Sequence, residues 1–279
     1  MTKHYVGGQA LIEGVMMKYK NRLGIAVRDP NGKIKVKKDK LIIKESNIPF
    51  WRGIINLIII MYIGIKSLNY SAAISTGSKE ENFSIWGFIF SLLFALVFAV
   101  VLFKFLPLGF TYFIDKFINL NNILFNILDG LFKIFIFILY VYLISLMKDV
   151  YRVFQYHGAE HKTVACYESG QKLIVKNIQK FHKEHIRCGT SFIFLVLLVS
   201  IVVYTFIPKD FSFWLKLILR IILLPVIASL SYELLRIGAK FQFFSFFSLP
   251  GIWIQKITTK EPDDKMVEVA IKALKVAIK

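Results

Sequence analysis

Histidine and cysteine side chains are concentrated in one polar segment between residues 154 and 192. The segment holds four of the five histidines and both cysteines, namely His157, His161, His182, His185, Cys166 and Cys188. Imidazole nitrogen and thiolate sulfur are the ligands that zinc favours in proteins. The sequence therefore predicts a metal site in this segment, with zinc as the first choice and another divalent metal as the alternative.

The sharpest chemical pattern is HGAEH at residues 157–161. On a helix, His157, Glu160 and His161 stand at positions i, i+3 and i+4 and so share one face. Two imidazoles one turn apart can both reach a metal ion, and the glutamate between them can act as general base on a water. This is the residue order of the inverted zinc peptidases. Gly158 weakens the prediction of a regular helix at this point.

A second group of ligand types follows, with His182, His185 and Cys188 at three-residue steps. We expect His157, His161 and Cys188 to hold the metal, with His185 as a fourth ligand or a close neighbour. Two other readings remain open. The histidines could lie at a membrane interface beside a buried Cys188, or Cys188 could be a nucleophile with a histidine as its base.

The elements that position these residues are apolar. The chain has 279 residues, 56% of them apolar, whereas soluble domains usually have about 45–50%. Several apolar blocks reach the roughly 20 residues that cross a membrane. We predict an all-α polytopic membrane protein with about four transmembrane helices, near residues 85–105, 127–147, 192–207 and 213–235. Residues 51–76 have a shorter apolar run, and we expect an interfacial or membrane-packed helix there.

The chain is expected to divide into six segments in order. These are 1–50, 51–76, 84–148 with the first and second spans, 149–189 as the metal-site loop, 190–237 with the third and fourth spans, and 238–279 as a C-terminal arm. Alternating residues around Asp29-Pro30-Asn31-Gly32 predict a β-hairpin in the first segment. Pro262 followed by two acids predicts the start of a C-terminal helix. Together with the metal-site loop, these two elements are expected to form a small cytoplasmic cap.

The net charge of +18 orients this arrangement. Residues 1–53 carry twelve Lys or Arg against four acids, and residues 149–189 carry seven against four. The positive-inside rule then predicts that both termini and the metal-site loop lie in the cytoplasm, with the chain in the inner (plasma) membrane. In this setting the charge favours contact with acidic lipid headgroups over nucleic acid. An RNA or protein partner at the basic face and a homo-oligomer remain open.

Two further expectations concern processing and redox state. Residues 1–50 are polar and basic and show no apolar core of a signal peptide. The two cysteines lie in a basic, histidine-rich segment, which favours reduced thiols over a disulfide.

Four stretches make the chain resemble the YqhQ-like family of bacterial membrane proteins, an uncharacterised group described as predicted metal-dependent enzymes. They are GGQALIEGVMM, FQYHGAEHKTVACYE, HIRCGTSF and PGIWIQKITTKEPDDKMVEVAI. The chain departs from the family pattern at Ile186, where proline is usual, and at Lys18-Tyr19-Lys20, where an arginine-glycine-proline run is usual. Both departures touch turns rather than ligands.

The resemblance also sorts the candidate residues. It implies that His157, Glu160, His161, His185 and Cys188 are motif positions, whereas His182 and Cys166 are less firmly part of the motif. Glu13 taken alone reads as a solvated loop residue. The resemblance moves it toward a supporting position near the metal, because the family keeps a glutamate there.

Three functions are compatible with these observations. The leading one is a zinc-dependent hydrolase of the membrane that acts on a lipid or a membrane-proximal peptide, with Glu160 as the base. The second is a scaffold or assembly factor whose metal site is structural, with four protein ligands. The third is a small-solute transporter, for which the sequence offers only Pro225 and Glu233 as features within a span.

Overall fold

The structure is a computed structural model, and it describes residues 6–41, 46, 48–77, 85–185, 188–240 and 249–279. The described residues fold mostly into helices, preceded by four strands. The strands are β1 (Val6–Leu11), β2 (Gly14–Tyr19), β3 (Arg22–Arg28) and β4 (Ile34–Lys40). The helices are α1 (Trp51–Thr76), α2 (Ile85–Val100), α3 (Leu106–Ile118), α4 (Asn122–Ser145), α5 (Lys148–Glu168), α6 (Val175–Ile178), α7 (Gly189–Tyr204), α8 (Phe213–Ile222), α9 (Leu224–Lys240), α10 (Leu249–Thr258) and α11 (Asp264–Ile278). A π-helical turn, Val101–Phe105, joins α2 to α3.

The strands form one antiparallel sheet in the order β1-β2-β3-β4. The predicted hairpin is confirmed as β3 and β4, which close with Arg28 opposite Ile34. The prediction missed the preceding hairpin of β1 and β2. Its second strand is buried at four successive positions from Gly14 to Met17, because both faces of the sheet are covered. A strand buried on both sides lacks the apolar–polar alternation from which strands are recognised.

The sheet is the centre of a compact cap, which we define as β1–β4, α5, α6 and α11. One face of the sheet packs on α5 and α11 through Val15, Met17, Tyr156 and Leu274. The helix α11 approaches so closely that a Cβ on Gly24 would meet its backbone. Asp263 caps α11 by accepting a hydrogen bond from the backbone N–H of Met266, so this helix begins where the sequence predicted.

The opposite face of the sheet packs on α1, through Ile59 and Ile63 of the helix. An ion pair between Lys66 and Asp39 of β4 continues this contact, with 2.9 Å from Nζ to Oδ2. It lowers the pKa of the Asp39 carboxyl, which also accepts from the backbone of Lys40. Residues 51–76 therefore form one helix attached to the cap along much of its length.

Among the described residues, three helices are long and apolar enough to cross a membrane: Trp51–Thr76, Ile89–Ile118 and Asn122–Ser145. A fourth candidate exists if α8 and α9, which meet at 45°, are counted as one broken span. Pro225 explains the break, because it is the second residue of α9 and has no N–H to continue the ladder of α8. Helix α7 is apolar but only 16 residues long.

The helix that contains the first expected span, 85–105, is longer than that segment. The helix continues through the π-helical turn to Ile118, because Pro107 lies in the first turn of α3, where a missing N–H is tolerated. The expected metal-site loop also differs, since its first half is the 21-residue helix α5.

Charged side chains are buried between the apolar helices, and the sequence prediction missed them. They are Lys104, Asp129, Lys133, Lys216 and Arg220, and we call them the bundle charge cluster. Asp129 accepts from Arg220 at 2.6 Å and from Lys133 at 3.1 Å. The expectation that Pro225 and Glu233 are the only features within a span that are typical of a transporter was therefore wrong. Glu233 instead forms an ion pair with Arg52, which ties α9 to α1.

Candidate metal centre

Helix α5 carries the first half of the candidate site. It is regular through Gly158, so His157 and His161 lie on one face with their ring centroids 4.3 Å apart. Gly158 is required by contact rather than by flexibility, because a Cβ there would collide with the backbone carbonyl of Lys260. The segment that follows α10 can therefore lie directly against the histidine helix.

Both imidazoles are held by backbone carbonyls through the same ring atom. Nδ1 of His157 is 2.8 Å from the carbonyl oxygen of Thr258, and Nδ1 of His161 is 2.6 Å from that of Lys183. A carbonyl oxygen can only accept, so each Nδ1 must carry the hydrogen. In the neutral ring, each Nε2 then keeps its lone pair. Fixing histidine ligands by such outer contacts is a common feature of metal sites.

Cys188 faces these lone pairs from the start of α7. Its Sγ lies 3.2 Å from Nε2 of His157 and also interacts with His161. Cys188 is the N-cap residue of α7, and the hydroxyl of Thr190 donates to its sulfur at 3.2 Å. The sulfur thus lies at the positive end of the helix dipole, with one hydroxyl donor directed at it.

These three groups form the only cluster of metal-ligand type that we find among the described residues, with the ligand atoms all within 4.8 Å of one another. As a thiol, Cys188 could donate its one proton to only one of the two Nε2 atoms of His157 and His161. As a thiolate, it would leave three atoms with unshared lone pairs, the two Nε2 atoms and Sγ, facing one another. Burial lowers the pKa of His161, with His157 acting in the same direction and the Cys188 contact opposing them. Protonation of His161 is therefore disfavoured, and the three groups together have the ligand atoms that could hold a metal ion.

Glu160 lies beside this cluster but is not one of its members. Its side chain packs against β1, where a Cβ added to Gly8 would be 2.7 Å from Oε1. Burial raises the pKa of this carboxyl to about 7, against a smaller opposite effect of His157. Its Oε2 has no hydrogen-bond partner among the described residues. A buried carboxylate oxygen without a partner is unfavourable in a purely structural role.

His185 approaches the cluster without joining it. Its ring centroid is 5.7 Å from that of His161, and its Nε2 is 3.7 Å from Oε2 of Glu168. The backbone N–H of His185 donates to Oε1 of the buried Gln255 side chain at 2.7 Å. Nε2 of Gln255 in turn donates to the backbone carbonyl of His185 at 2.9 Å. Helix α10 thus fixes the backbone of His185.

The other three candidate residues lie elsewhere. His182 is exposed, and Cys166 is buried in the cap core with its sulfur near the carbonyl of Lys172. Burial also raises the pKa of the Cys166 thiol. Glu13 forms the turn between β1 and β2 at a positive φ of 51° and accepts two hydrogen bonds of 2.6 Å from Arg152.

Several residues that build the site were not predicted from the sequence. Gln255 and Thr258 lie within the PGIWIQKITTK stretch, so their motif was noticed but not their role. The carbonyl groups of Thr258 and Lys183 carry no sequence signal, because every residue has one. Thr190 lies within the HIRCGTSF stretch, so its motif was noticed but not its contact with Cys188.

Comparison with known proteins covers nearly the whole chain, including the residues of the candidate site. Residues 48–279 match a family described as proteins of unknown function, DUF1385. The chain belongs to this family. It is also 35% identical to the uncharacterized protein YqhQ of Bacillus subtilis (strain 168), over 98% of this chain and 93% of that protein. The resemblance inferred from the four motifs is thereby confirmed. No solved structure matches the chain.

Proposed function

We propose that the protein is a zinc-dependent hydrolase that acts on a lipid or a membrane-proximal peptide at the cytoplasmic face of the bacterial inner membrane. One observation carries the proposal: His157, His161 and Cys188 turn three lone-pair donors toward one point, while both Nδ1–H groups are bound to carbonyls. The donor set fits zinc, which binds imidazole and thiolate in tetrahedral sites.

The number of protein ligands favours catalysis over a structural role. Structural zinc sites use four protein ligands, whereas catalytic sites use three and keep the fourth position open. Zinc bound to such a site supplies a Lewis acid that makes water nucleophilic near neutral pH. The cluster among the described residues has three members.

The remaining chemistry belongs to residues of the chain. Glu160 would accept a proton from the attacking water, a role that suits a buried carboxyl with a free Oε2. Gly8 leaves room for this carboxyl against β1. Thr258 and Lys183 keep the imidazoles in the orientation and tautomer that point Nε2 toward Cys188.

The packing supports a membrane arrangement with the centre on the basic side. Glu13 pairs with Arg152, so the sheet and α5 belong to one body and the chain must cross an even number of times between them. Since α1 packs on the sheet, the two crossings would be Ile89–Ile118 and Asn122–Ser145. A second pair would consist of α7 and the bent helices α8 and α9. The positive-inside rule then favours a cytoplasmic cap.

A structural metal site is the second candidate, and His185 is the observation that favours it. Its ring lies near that of His161, so a small shift of the segment would bring it to the fourth position. The protein would then be a docking platform with a closed metal site.

The first test is metal content. Purified protein should contain about one zinc per chain, and a His157→Ala, His161→Ala double variant should lose it. His182→Ala is the matched control, because it removes an exposed histidine outside the cluster and should retain the metal. Unchanged zinc in the double variant would end the metal proposal.

A second measurement separates enzyme from scaffold. If Glu160 is the base, Glu160→Gln should bind zinc normally but fail to complement cells that lack the protein, since loss of a general base slows turnover by roughly 10²–10⁴-fold. If the site is structural, Glu160→Gln should complement fully, and His185→Ala should weaken zinc binding.

A further inference from the structure

A cavity of about 520 Å³ lies on the other side of the segment that supports His157. Its wall is formed by the end of α4, the start of α5 and the segment from Lys256 to Lys260. Four cationic side chains line it, namely Lys148, Arg152, Lys256 and Lys260, and among the described residues no acid does so.

Two of these cations are already engaged, and two are available. Arg152 is paired with Glu13, and Lys260 lies over the ring of Tyr151 at 5.6 Å. Lys148 and Lys256 are exposed, and neither has a carboxylate partner within the part of the chain that the structure describes. The cavity therefore presents uncompensated positive charge.

The start of α5 adds to this charge. Met147 is its N-cap, and no side-chain capping hydrogen bond is formed there. Asp149, the acid of the first turn, is exposed and does not line the cavity. The first amide N–H groups of this 21-residue helix thus lack intrahelical acceptors, and they lie at the positive end of the helix dipole. Helix N-termini of this kind are frequent phosphate sites.

The cavity is apolar where it meets α4, through Tyr142 and Leu146. Both side chains are more than half exposed, as are their chain neighbours Leu143 and Met147, and they belong to or follow the last turn of a helix apolar enough to span a membrane. A free phosphate ion has no apolar part that would contact these side chains. A lipid would place its acyl chains along this surface and its phosphate among the cations.

We propose that this cavity binds the phosphate of an anionic phospholipid. The neighbouring metal centre shares its wall, because Lys260 donates its backbone N–H to Phe154 and the Thr258 carbonyl accepts from His157. That the bound lipid is also the substrate rests on the proposed function, whereas binding itself does not.

The test uses the full-length protein in detergent and three probes: short-chain phosphatidylglycerol, short-chain phosphatidylcholine and inorganic phosphate. Phosphatidylglycerol should bind most tightly. A Lys148→Gln, Lys256→Gln double variant should weaken that binding about tenfold or more, since each lysine near an anionic surface contributes on the order of 1 kcal/mol. Lys176→Gln with Lys180→Gln removes the same charge from exposed positions of the cap and should leave the affinity unchanged.

Each other result overturns the assignment. Equal binding of inorganic phosphate would replace the lipid with a free anion, and equal binding of phosphatidylcholine would remove the role of net charge. Equal loss in both lysine pairs would reduce the site to general surface charge. The His157→Ala, His161→Ala variant should still bind phosphatidylglycerol, so a failure of the metal proposal and a failure of the lipid site can be told apart.

Discussion

In the helix bundle, both oxygens of the Asp129 carboxylate accept from a cation, one from Arg220 and the other from Lys133. In the candidate metal centre, His157, His161 and Cys188 instead turn acceptor atoms toward one another. The sequence analysis predicted the group of His157, His161 and Cys188 but missed the bundle charge cluster. Yet Asp129 has a cation on each of its two oxygens, whereas the candidate metal centre has no cation partner among the described residues.

The comparison teaches how a buried polar group reveals its role. A residue whose partners complete its hydrogen bonds positions other elements, and a residue left with an unused atom is available for a ligand or a reaction. The bundle is not wholly closed, since Nζ of Lys216 has no hydrogen-bond partner among the described residues. That ammonium lies over the rings of Tyr112 and Phe125 instead, at 4.5 and 4.3 Å.

The largest expected effect lies in the bundle. Asp129→Ala leaves Arg220 and Lys133 buried without their counter-ion, and breaking a buried pair in this way costs about 3–5 kcal/mol of stability. Thermal unfolding in detergent measures it, with Asp149→Ala, an exposed acid, as the control. Adding Arg220→Met to Asp129→Ala should recover part of the loss. Equal stability of Asp129→Ala and Asp149→Ala would mean that the network is dispensable.

The next effect lies in the cap and depends on pH. The folded-state pKa of Glu160 is raised to about 7 from 4.5, so the folded protein holds this proton longer than the unfolded chain. Its contribution to stability is fully present below about pH 4.5 and is lost as the pH rises through about 7. The loss amounts to about 3 kcal/mol, at 1.36 kcal/mol per pKa unit.

Unfolding of metal-free protein between pH 5 and 8 would measure this effect. The stability difference between the parent protein and Glu160→Gln should fall as the pH rises, because only the parent has the buried carboxyl that must ionise. The histidine titrations are common to both proteins and cancel in the difference. Glu268→Gln, at a half-exposed carboxylate, should give a flat difference. A flat difference for Glu160→Gln would show that this carboxyl is not buried as described.

The smallest effect is expected for the most conspicuous ion pair of the cap. Arg152→Lys removes the two-pronged contact with Glu13, but the Arg152 side chain is 48% exposed. Ion pairs with this exposure contribute about 0–1 kcal/mol. A loss well above that range in thermal unfolding would mean that the turn of Glu13 anchors the whole cap.

Spacing and composition predicted much of what is local. The sequence indicated the hairpin around Asp29, the cap of α11 at Asp263 and the shared face of His157 and His161, because each depends on neighbours along the chain. It missed the hairpin of β1 and β2, whose pattern is masked by burial on both faces. The membrane crossings, the interfacial placement of residues 51–76 and the zinc itself stay predictions.

The rest could not be read from neighbours, because it depends on contacts between distant residues. Lys133 and Arg220 look like interruptions of apolar helices until Asp129 is placed between them. The anchoring of His157 by Thr258 spans 101 residues of chain and uses a backbone atom. Gly8 and Gly158 are indistinguishable from turn glycines until the groups that occupy their missing Cβ positions are known.

The packing of α11 against Gly24 sets an order of events during synthesis. The sheet is made first, yet α11, the helix that covers one of its faces, is made only after all the other described elements. The carbonyl of Thr258 also arrives late. Until then the N-terminal strands have an apolar face without its cover, and the histidine helix lacks one of its anchors. Truncation after α9 would therefore leave the sheet without a completed core, and the newly made chain would be exposed to proteases and chaperones until α11 has been made.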